Sequence, residues 1–501
     1  MEICDFADND CDPNVDEGAT AITWYRDRDE DGFGDVESAS TPSCAPPMGY
    51  ALLPLDCDDD RREVRPGAPE LCNGRDDDCD DRTDERACTL ADGGVADAGV
   101  DAGFDAGFVD ACEGCAWRYA CRTECDDPVR LAVGVGHTCV LTELGSVYCW
   151  GSNWAGQSGV PGAAAYALPV KVTLPARSAQ VASGNSFSCA RLVDGRVFCW
   201  GIADDGQLGD GQSTHDDCGG NDCATAPVEV LLPATTRAVE LGAGDRFACA
   251  RLDDGTVACW GDNGPGQLGT GQSNAGSSTP VRVASPSDET GNLSGAISLA
   301  VGFQNACVIR AIGQTWCWGQ NDRGQLGENA GGVGLRPTVW RSDAAMAWVD
   351  VGWSQICGGS TAGALICFGE NRDGQLGSGS TSPDWSGVPV TLAWAQGARA
   401  STGGVHHRCV LGGDARVRCV GTDEEGSLGD GATPHATVCA SGLTCSVDPI
   451  AVTLGSAIDV DTGGAHTCAI SAGGVYCWGP NGGGDPTASA PAFAPVLVEG
   501  P

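Results

Sequence analysis

The sequence predicts an all-β chain: a seven-bladed β-propeller preceded by a small, loop-rich Asp/Cys module suited to metal binding. Three observations carry this. One motif returns seven times at steps of 50 to 60 residues. Each copy holds two cysteines, nine or ten residues apart. Glycine reaches 75 of 501 residues, which favours tight turns over helix.

The motif reads GHTCVLTELGSVYCWG at 136–151 and SFSCARLVDGRVFCWG at 186–201. It returns around Cys249/Cys259, Cys307/Cys317, Cys357/Cys367, Cys409/Cys419 and Cys468/Cys477. A Gly-Gln-Leu-Gly turn follows at 206–209, 266–269, 324–327 and 374–377. A proline and a short apolar strand close each unit, as in PVKV, PVEV and PVRV. Several short strands per unit, repeated seven times, suit a closed ring of blades.

The cysteine spacing is read as a hairpin. In units 1 to 5 a glycine stands six residues after the first cysteine: Gly145, Gly195, Gly255, Gly313 and Gly363. A three-residue loop ending in a left-handed glycine pairs Thr142 with Ser146. Counting outward, Cys139 then opposes Cys149 at a non-hydrogen-bonded position, where side chains are closest. Unit 7 has one residue fewer, and a two-residue turn at Ala472-Gly473 restores the opposition. Seven disulfides are expected: Cys139–Cys149, Cys189–Cys199, Cys249–Cys259, Cys307–Cys317, Cys357–Cys367, Cys409–Cys419 and Cys468–Cys477. Two more pairs, Cys218/Cys223 and Cys439/Cys445, sit in insertions between the Gly-rich turn and the closing strand of units 2 and 6. Both insertions are expected on one face.

The pattern HTCxLxxxGxVYCWGxNxxGQLG resembles the regulator of chromosome condensation repeat, whose members form seven-bladed propellers. The resemblance covers 131–500. Unit 6 departs with Val420 in place of tryptophan, and unit 7 lacks the Gly-Gln-Leu-Gly turn. Eukaryotic members of that family exchange nucleotide on a small GTPase, and bacterial members include a secreted inhibitor of β-lactamases.

The N-terminus repeats with another period. EICDFADNDCDPNVDE at 2–17 matches ELCNGRDDDCDDRTDE at 70–85. This resembles the metal-binding repeat of bacterial surface proteins, a family named for a methanotroph surface copper protein, and the chain is read as starting within an array of it. The residue chemistry favours calcium over copper. Asp27, Asp29, Asp31, Phe33 (through its carbonyl) and Asp35 copy the start of an EF-hand loop, although Ser38 stands where a closing glutamate belongs. Further ligands are expected from Asp8, Asp10 and Asp12, from Asp56, Asp58 and Asp60, or from Asp76, Asp78 and Asp80. Cys4, Cys11, Cys72 and Cys79 are expected in disulfides, and residues 1–111 hold no histidine, so softer metals lack ligands there.

The resulting domains are a calcium-binding module over 1–90, a flexible Asp-Ala-Gly linker over 91–111, a Cys-rich cap over 112–130 and the propeller over 131–501. In the cap, Cys112, Cys115, Cys121 and Cys125 are expected to pair as disulfides rather than to bind zinc.

Twenty-nine cysteines without zinc spacing point to an oxidising compartment. No leader is visible, so an exported protein would have one outside this chain. A net charge of −40, −18 of it in residues 1–90, opposes nucleic acid and anionic membranes. No stretch is long enough to cross a membrane as a helix. The chain has no GxSxG, HExxH or GxGxxG motif, and Lys171 is its single lysine. His137, His407 and His466 precede the first cysteines of neighbouring units 1, 6 and 7. They could hold a transition metal, but the reading adopted is structural. The expectation is a monomeric, non-enzymatic, secreted or surface scaffold that recognises a protein or glycan partner through propeller loops. The alternative is a secreted proteinaceous enzyme inhibitor using one propeller face.

Overall fold

A computed structural model describes residues 25–28, 33–35, 38, 50–51, 53–58 and 79 of the N-terminal part. It also describes 126–500 except 286–290, 311–312, 328–330, 341–343, 424, 433–436 and 481–490. The chain divides into two units, Met1–Val109 and Asp110–Pro501.

In the second unit seven antiparallel sheets follow one another along the chain. Blade 1 runs Pro128–Val133, His137–Thr142, Val147–Ser152 and Ala165–Lys171 from the innermost to the outermost strand. Blades 2 to 7 begin at Ser178, Ala238, Ala296, Met346, Ala400 and Ala457. Blade 2 gains a fifth strand, Asp216–Asp217, inside its insertion. The chain is all-β and seven-bladed, as its sequence predicts.

The region expected as a cap reaches only partly into the described residues. From Pro128 it is already the first blade's inner strand, paired from Pro128↔Thr142 to Val133↔Thr138. A proline is tolerated there because it opens the strand, where no ladder donor is needed. The fourth strands from the channel likewise begin before their prolines. Blade 2's runs Asp222–Glu229, with a register shift opposite Cys199 to Gly201.

The hairpin reading holds in detail. Thr142 N–H donates to Ser146 O at 3.0 Å, and Gly145 has φ 78°. Cys139 faces Cys149 with Cα atoms 4.1 Å apart, the close spacing of a non-hydrogen-bonded pair. In blade 7 Ala472 and Gly473 have φ 48° and 74°, which brings Cys468 opposite Cys477. All seven cross-strand pairs are joined by disulfides, at Cα separations of 4.0 to 4.1 Å. These half-cystines are buried to 0 or 1% exposure, so they fill the blade interfaces as apolar groups as well.

Each blade comes from one continuous stretch, so no strand is exchanged where blade 7 meets blade 1. Side chains close that seam. Leu131 N–H donates to Asp459 Oδ2, and Val133 N–H to Asp461 Oδ2, both at 2.8 Å. The same contact recurs elsewhere: Leu241 N–H to Gln180 Oε1 and Leu299 N–H to Glu240 Oε2, both 2.9 Å.

Tryptophans couple neighbouring blades. Trp200, Trp260, Trp318 and Trp478 donate Nε1–H to the carbonyls of Gln157, Gln207, Gln267 and Ser427 in the preceding blade's Gly-rich turn, at 2.8 to 3.1 Å. Blades 5 and 6 carry Phe368 and Val420 at that position. A tryptophan from the end of the preceding blade supplies the donor instead. Trp340 reaches Gln325 O at 3.3 Å and packs on Phe368, and Trp394 reaches Gly377 O at 2.9 Å.

Candidate interaction face and metal-binding module

The described residues of the N-terminal unit include a four-stranded sheet of short strands. Tyr25–Arg26 pairs antiparallel with Phe33–Asp35 through Arg26↔Asp35. This ladder closes the ends of the acidic loop that begins at Asp27, which is buried. Phe33 and Asp35 lie in the returning strand, and Asp56 ends a further strand, Leu53–Asp56. Asp58 follows two residues later and is half-buried. Asp8, Asp10, Asp12, Asp29, Asp31, Asp60, Asp76, Asp78 and Asp80 lie outside the described residues, as do Cys4, Cys11 and Cys72. Cys79 is bonded to Cys57, a cysteine the sequence reading left unassigned. The signal was present: Asp56-Cys57-Asp58 and Asp78-Cys79-Asp80 share one tripeptide. Their bond ties Cys79 to the end of the strand that carries Asp56.

In every blade the chain runs antiparallel from strand to strand. The turn between the first and second strands and the loop between the third and fourth therefore fall at the same end. Contacts across blades bear this out: Arg246 pairs with Asp205 at 3.0 Å, His406 with Asp373 at 2.8 Å, and Ser427 Oγ donates to Ala465 O at 3.1 Å. Both clipped insertions occupy this end, with Cys218 bonded to Cys223 and Cys439 to Cys445. The blade 6 insertion rests on blade 5, where Ala440 N–H donates to Arg372 O at 3.2 Å.

The central channel opens at the same end and encloses about 270 Å³. Glycines line its rim. A Cβ on Gly134, Gly184, Gly244, Gly302 or Gly463 would collide with a carbonyl oxygen of the next blade, so the close approach of the inner strands requires glycine there. The sequence reading missed this ring. Its trace is the glycine three residues before His137, Phe187, Phe247, Asn305 and His466. Phe303 and Trp353 stack at the channel mouth, half-buried, with ring centroids 3.4 Å apart. Among the described residues, the turns and loops of this end hold, outside strands, ten Asp or Glu against three Arg.

The three histidines are buried between blades. Nε2 of His137, His407 and His466 is hydrogen-bonded to the hydroxyls of Ser188, Thr467 and Thr138 on the next blade, at 2.7, 2.8 and 3.0 Å. Desolvation is the main cause that pushes their pKa values down, to about 3 for His137 and His407 and about 4 for His466. They are neutral joints between blades. Among the described residues no group of three or more His, Cys, Asp or Glu is placed to hold a metal ion. Asp461, at the seam, is pushed up to about 7, chiefly by burial.

Fold and site together define a disulfide-paired propeller with two clipped insertions on one face. Comparison with known proteins identifies the repeats. The chain carries regulator of chromosome condensation (RCC1) repeats, matched at 129–157, 179–207, 238–267 and 296–325, and in a second form of the repeat at 145–191 and 194–251. It also carries a metal-binding motif of the copper-binding MopE type, matched at 1–17 and 56–85. Similar curated proteins include the human E3 ubiquitin-protein ligase HERC2, 30% identical over 42% of this chain and 4% of its own length. Another is the Arabidopsis thaliana ultraviolet-B receptor UVR8, 26% identical over 39% of this chain and 42% of its own. The chain thus spans less than half the length of these relatives. Among solved structures, yeast RCC1 (Prp20) bound to Kap60 has a TM-score of 0.61 at 20% identity, covering 74% of this chain and 85% of that one. Human WBSCR16 has a TM-score of 0.58 at 22% identity, covering 71% and 95%. At these identities the likeness concerns the fold. Propellers of this type are mostly binding or exchange-factor scaffolds, and this one is a fold that can bind proteins.

Proposed function

We propose that this chain is an exported binding scaffold, secreted or held at a cell surface, that recognises a protein or glycan partner with the loop face of its propeller. The observation that carries the reading is the pair of disulfide-clipped insertions, both on the face with the channel mouth. A clip restricts the free loop and so lowers the ordering cost of binding. Export is supported by the cysteine pairs, which persist only in an oxidising compartment. The acidity of the face argues against a phosphate backbone as partner.

Calcium is proposed as the ion of the N-terminal module. The alternating carboxylates from Asp27 to Asp35 and the lack of histidine favour a hard cation with oxygen ligands over copper. The residues suit it: the ladder at Arg26↔Asp35 holds the two ends of the loop together, and the Asp35↔Asp56 pairing sets the Leu53–Asp56 strand beside it. Bound there, calcium would neutralise mutual repulsion and order the loops.

The test is affinity capture from the native surface and culture medium with the full chain, beside a variant whose two insertions are cut to the roughly ten-residue length of the other units. A partner kept by the full chain and lost by the folded variant supports the reading. Equal capture by both would move the binding surface elsewhere.

A further inference from the structure

Within the blade 2 insertion both ring nitrogens of His215 face carboxylates. Nε2 lies 2.9 Å from Asp210 Oδ2, and Nδ1 lies 3.0 Å from Asp222 Oδ2. A carboxylate only accepts, and a neutral imidazole has a single N–H to donate. Both contacts are hydrogen bonds only when the ring is imidazolium. The placement is specific. Asp210 directly follows the Gly-rich turn, and Asp222 opens the blade's fourth strand from the channel. One side chain therefore ties the two ends of the insertion together. Asp222 is itself fixed, since its Oδ1 accepts the His215 N–H at 2.6 Å and its own N–H donates to Asp204 Oδ1 at 2.9 Å. The His215 and Asp210 side chains are 9% and 11% exposed, so solvent screens the pair poorly.

The other carboxylates of the insertion are engaged elsewhere. Asp216 accepts from the Thr225 hydroxyl at 2.8 Å, and Asp217 accepts from Gly220 N–H at 2.7 Å. The Cys218–Cys223 clip closes the hairpin beyond the histidine but leaves its base to the His215 contacts.

We propose that His215 is a pH-operated clamp: as an imidazolium it holds the base of the blade 2 insertion, and on losing its proton it releases one of the two ends. This rests on reading the insertion face as a partner surface, and names how that face is regulated.

The direction follows from the charges acting on the ring. Burial alone lowers the pKa of His215; the bonds to Asp222 and Asp210, and their charges, outweigh it and raise the pKa above 6.5. Stabilisation by a raised group is complete below the unfolded value and disappears as pH climbs through the folded one. The clamp is therefore shut in mildly acidic solution and opens as pH climbs through the raised pKa of His215.

Hydrogen exchange of the full chain, without a partner, tests this. Protection of amides 210–223, normalised to the intrinsic rate and to the equivalent loop 159–165 of blade 1, should fall about tenfold between about pH 6 and pH 9. His215→Gln should give low, pH-independent protection. Carbon-13 labelling of the histidines should place the His215 titration above 6.5 in the native chain and lower in Asp210→Asn. Should the glutamine variant fail to fold, the native titration decides alone. A native His215 titrating at or below 6.5, or protection that ignores pH, overturns the clamp. Neither outcome bears on whether the face binds a partner.

Discussion

His466 of the last blade is hydrogen-bonded through Nε2 to Thr138 Oγ1 of the first, at 3.0 Å, across the seam where the ring closes. The same contact joins blade 6 to 7 and blade 1 to 2, so the closure uses a joint found at ordinary blade interfaces. With no shared strand at the seam, such joints, the two aspartate contacts to Leu131 and Val133, and a buried apolar cluster that joins Leu131, Val133, Val140 and Trp150 to Ile470 and Val475 carry the circularisation.

The buried neutral state of His466 predicts a pH signature. Its folded pKa, about 4, lies below the unfolded 6.5, so between these values the unfolded chain binds the extra proton. Its contribution is present above 6.5 and is lost as pH falls toward 4. Relative to His466→Gln, the native chain should lose about 1.4 kcal/mol per pH unit in that window, read by urea unfolding. A constant difference would mean that the ring is not buried neutral.

Trp340 and Phe368 predict a coupled pair. Trp340→Ala should cost about 3–5 kcal/mol through its cavity and a lost bond to Gln325 O. Phe368→Trp should be poorly tolerated alone, because Trp340 occupies the space. The double variant should recover more than about 1 kcal/mol over the sum of the two, measured in a double-mutant cycle. Additivity would refute the replacement.

Ala415 stands in the left-handed region, φ 59°, at the hairpin position that units 1 to 5 give to glycine. Ala415→Gly should relieve about 1–2 kcal/mol of strain while the unfolded chain gains about 0.4–1 kcal/mol of entropy. A small net stabilisation is expected, seen as a higher thermal midpoint.

The cysteine pairs predict a redox outcome. Mass mapping of the non-reduced, natively exported protein should find the seven cross-strand bonds, and free thiols at most of these positions would remove both the pairing and the export reading. Each bond closes a short loop, so reduction of one should cost about 2–3 kcal/mol.

Calcium should bind the full chain with Kd of about 10⁻⁴–10⁻³ M, the range of extracellular modules, by calorimetry. Asp29→Asn or Asp31→Asn should weaken it. An absence of heat at several millimolar calcium would leave the acidic tract a solvating one.

What the sequence by itself determined is local or periodic. The blade number follows from the seven motifs, and the opposition of Cys139 and Cys149 follows from the loop length, because a hairpin's register is fixed by its turn. That the two insertions share a face follows from antiparallel alternation alone. The tertiary structure decided what depends on residues distant in the chain. Trp340 and Trp394 replace the missing tryptophans of blades 5 and 6, although in sequence they end the preceding units. The rim glycines show their reason only beside the next blade's carbonyls. His137, His407 and His466, candidate metal ligands by spacing, each face a hydroxyl one blade away. These relations pair residues roughly 15 to 330 positions apart, and no local propensity encodes which surfaces meet when a ring of sheets closes.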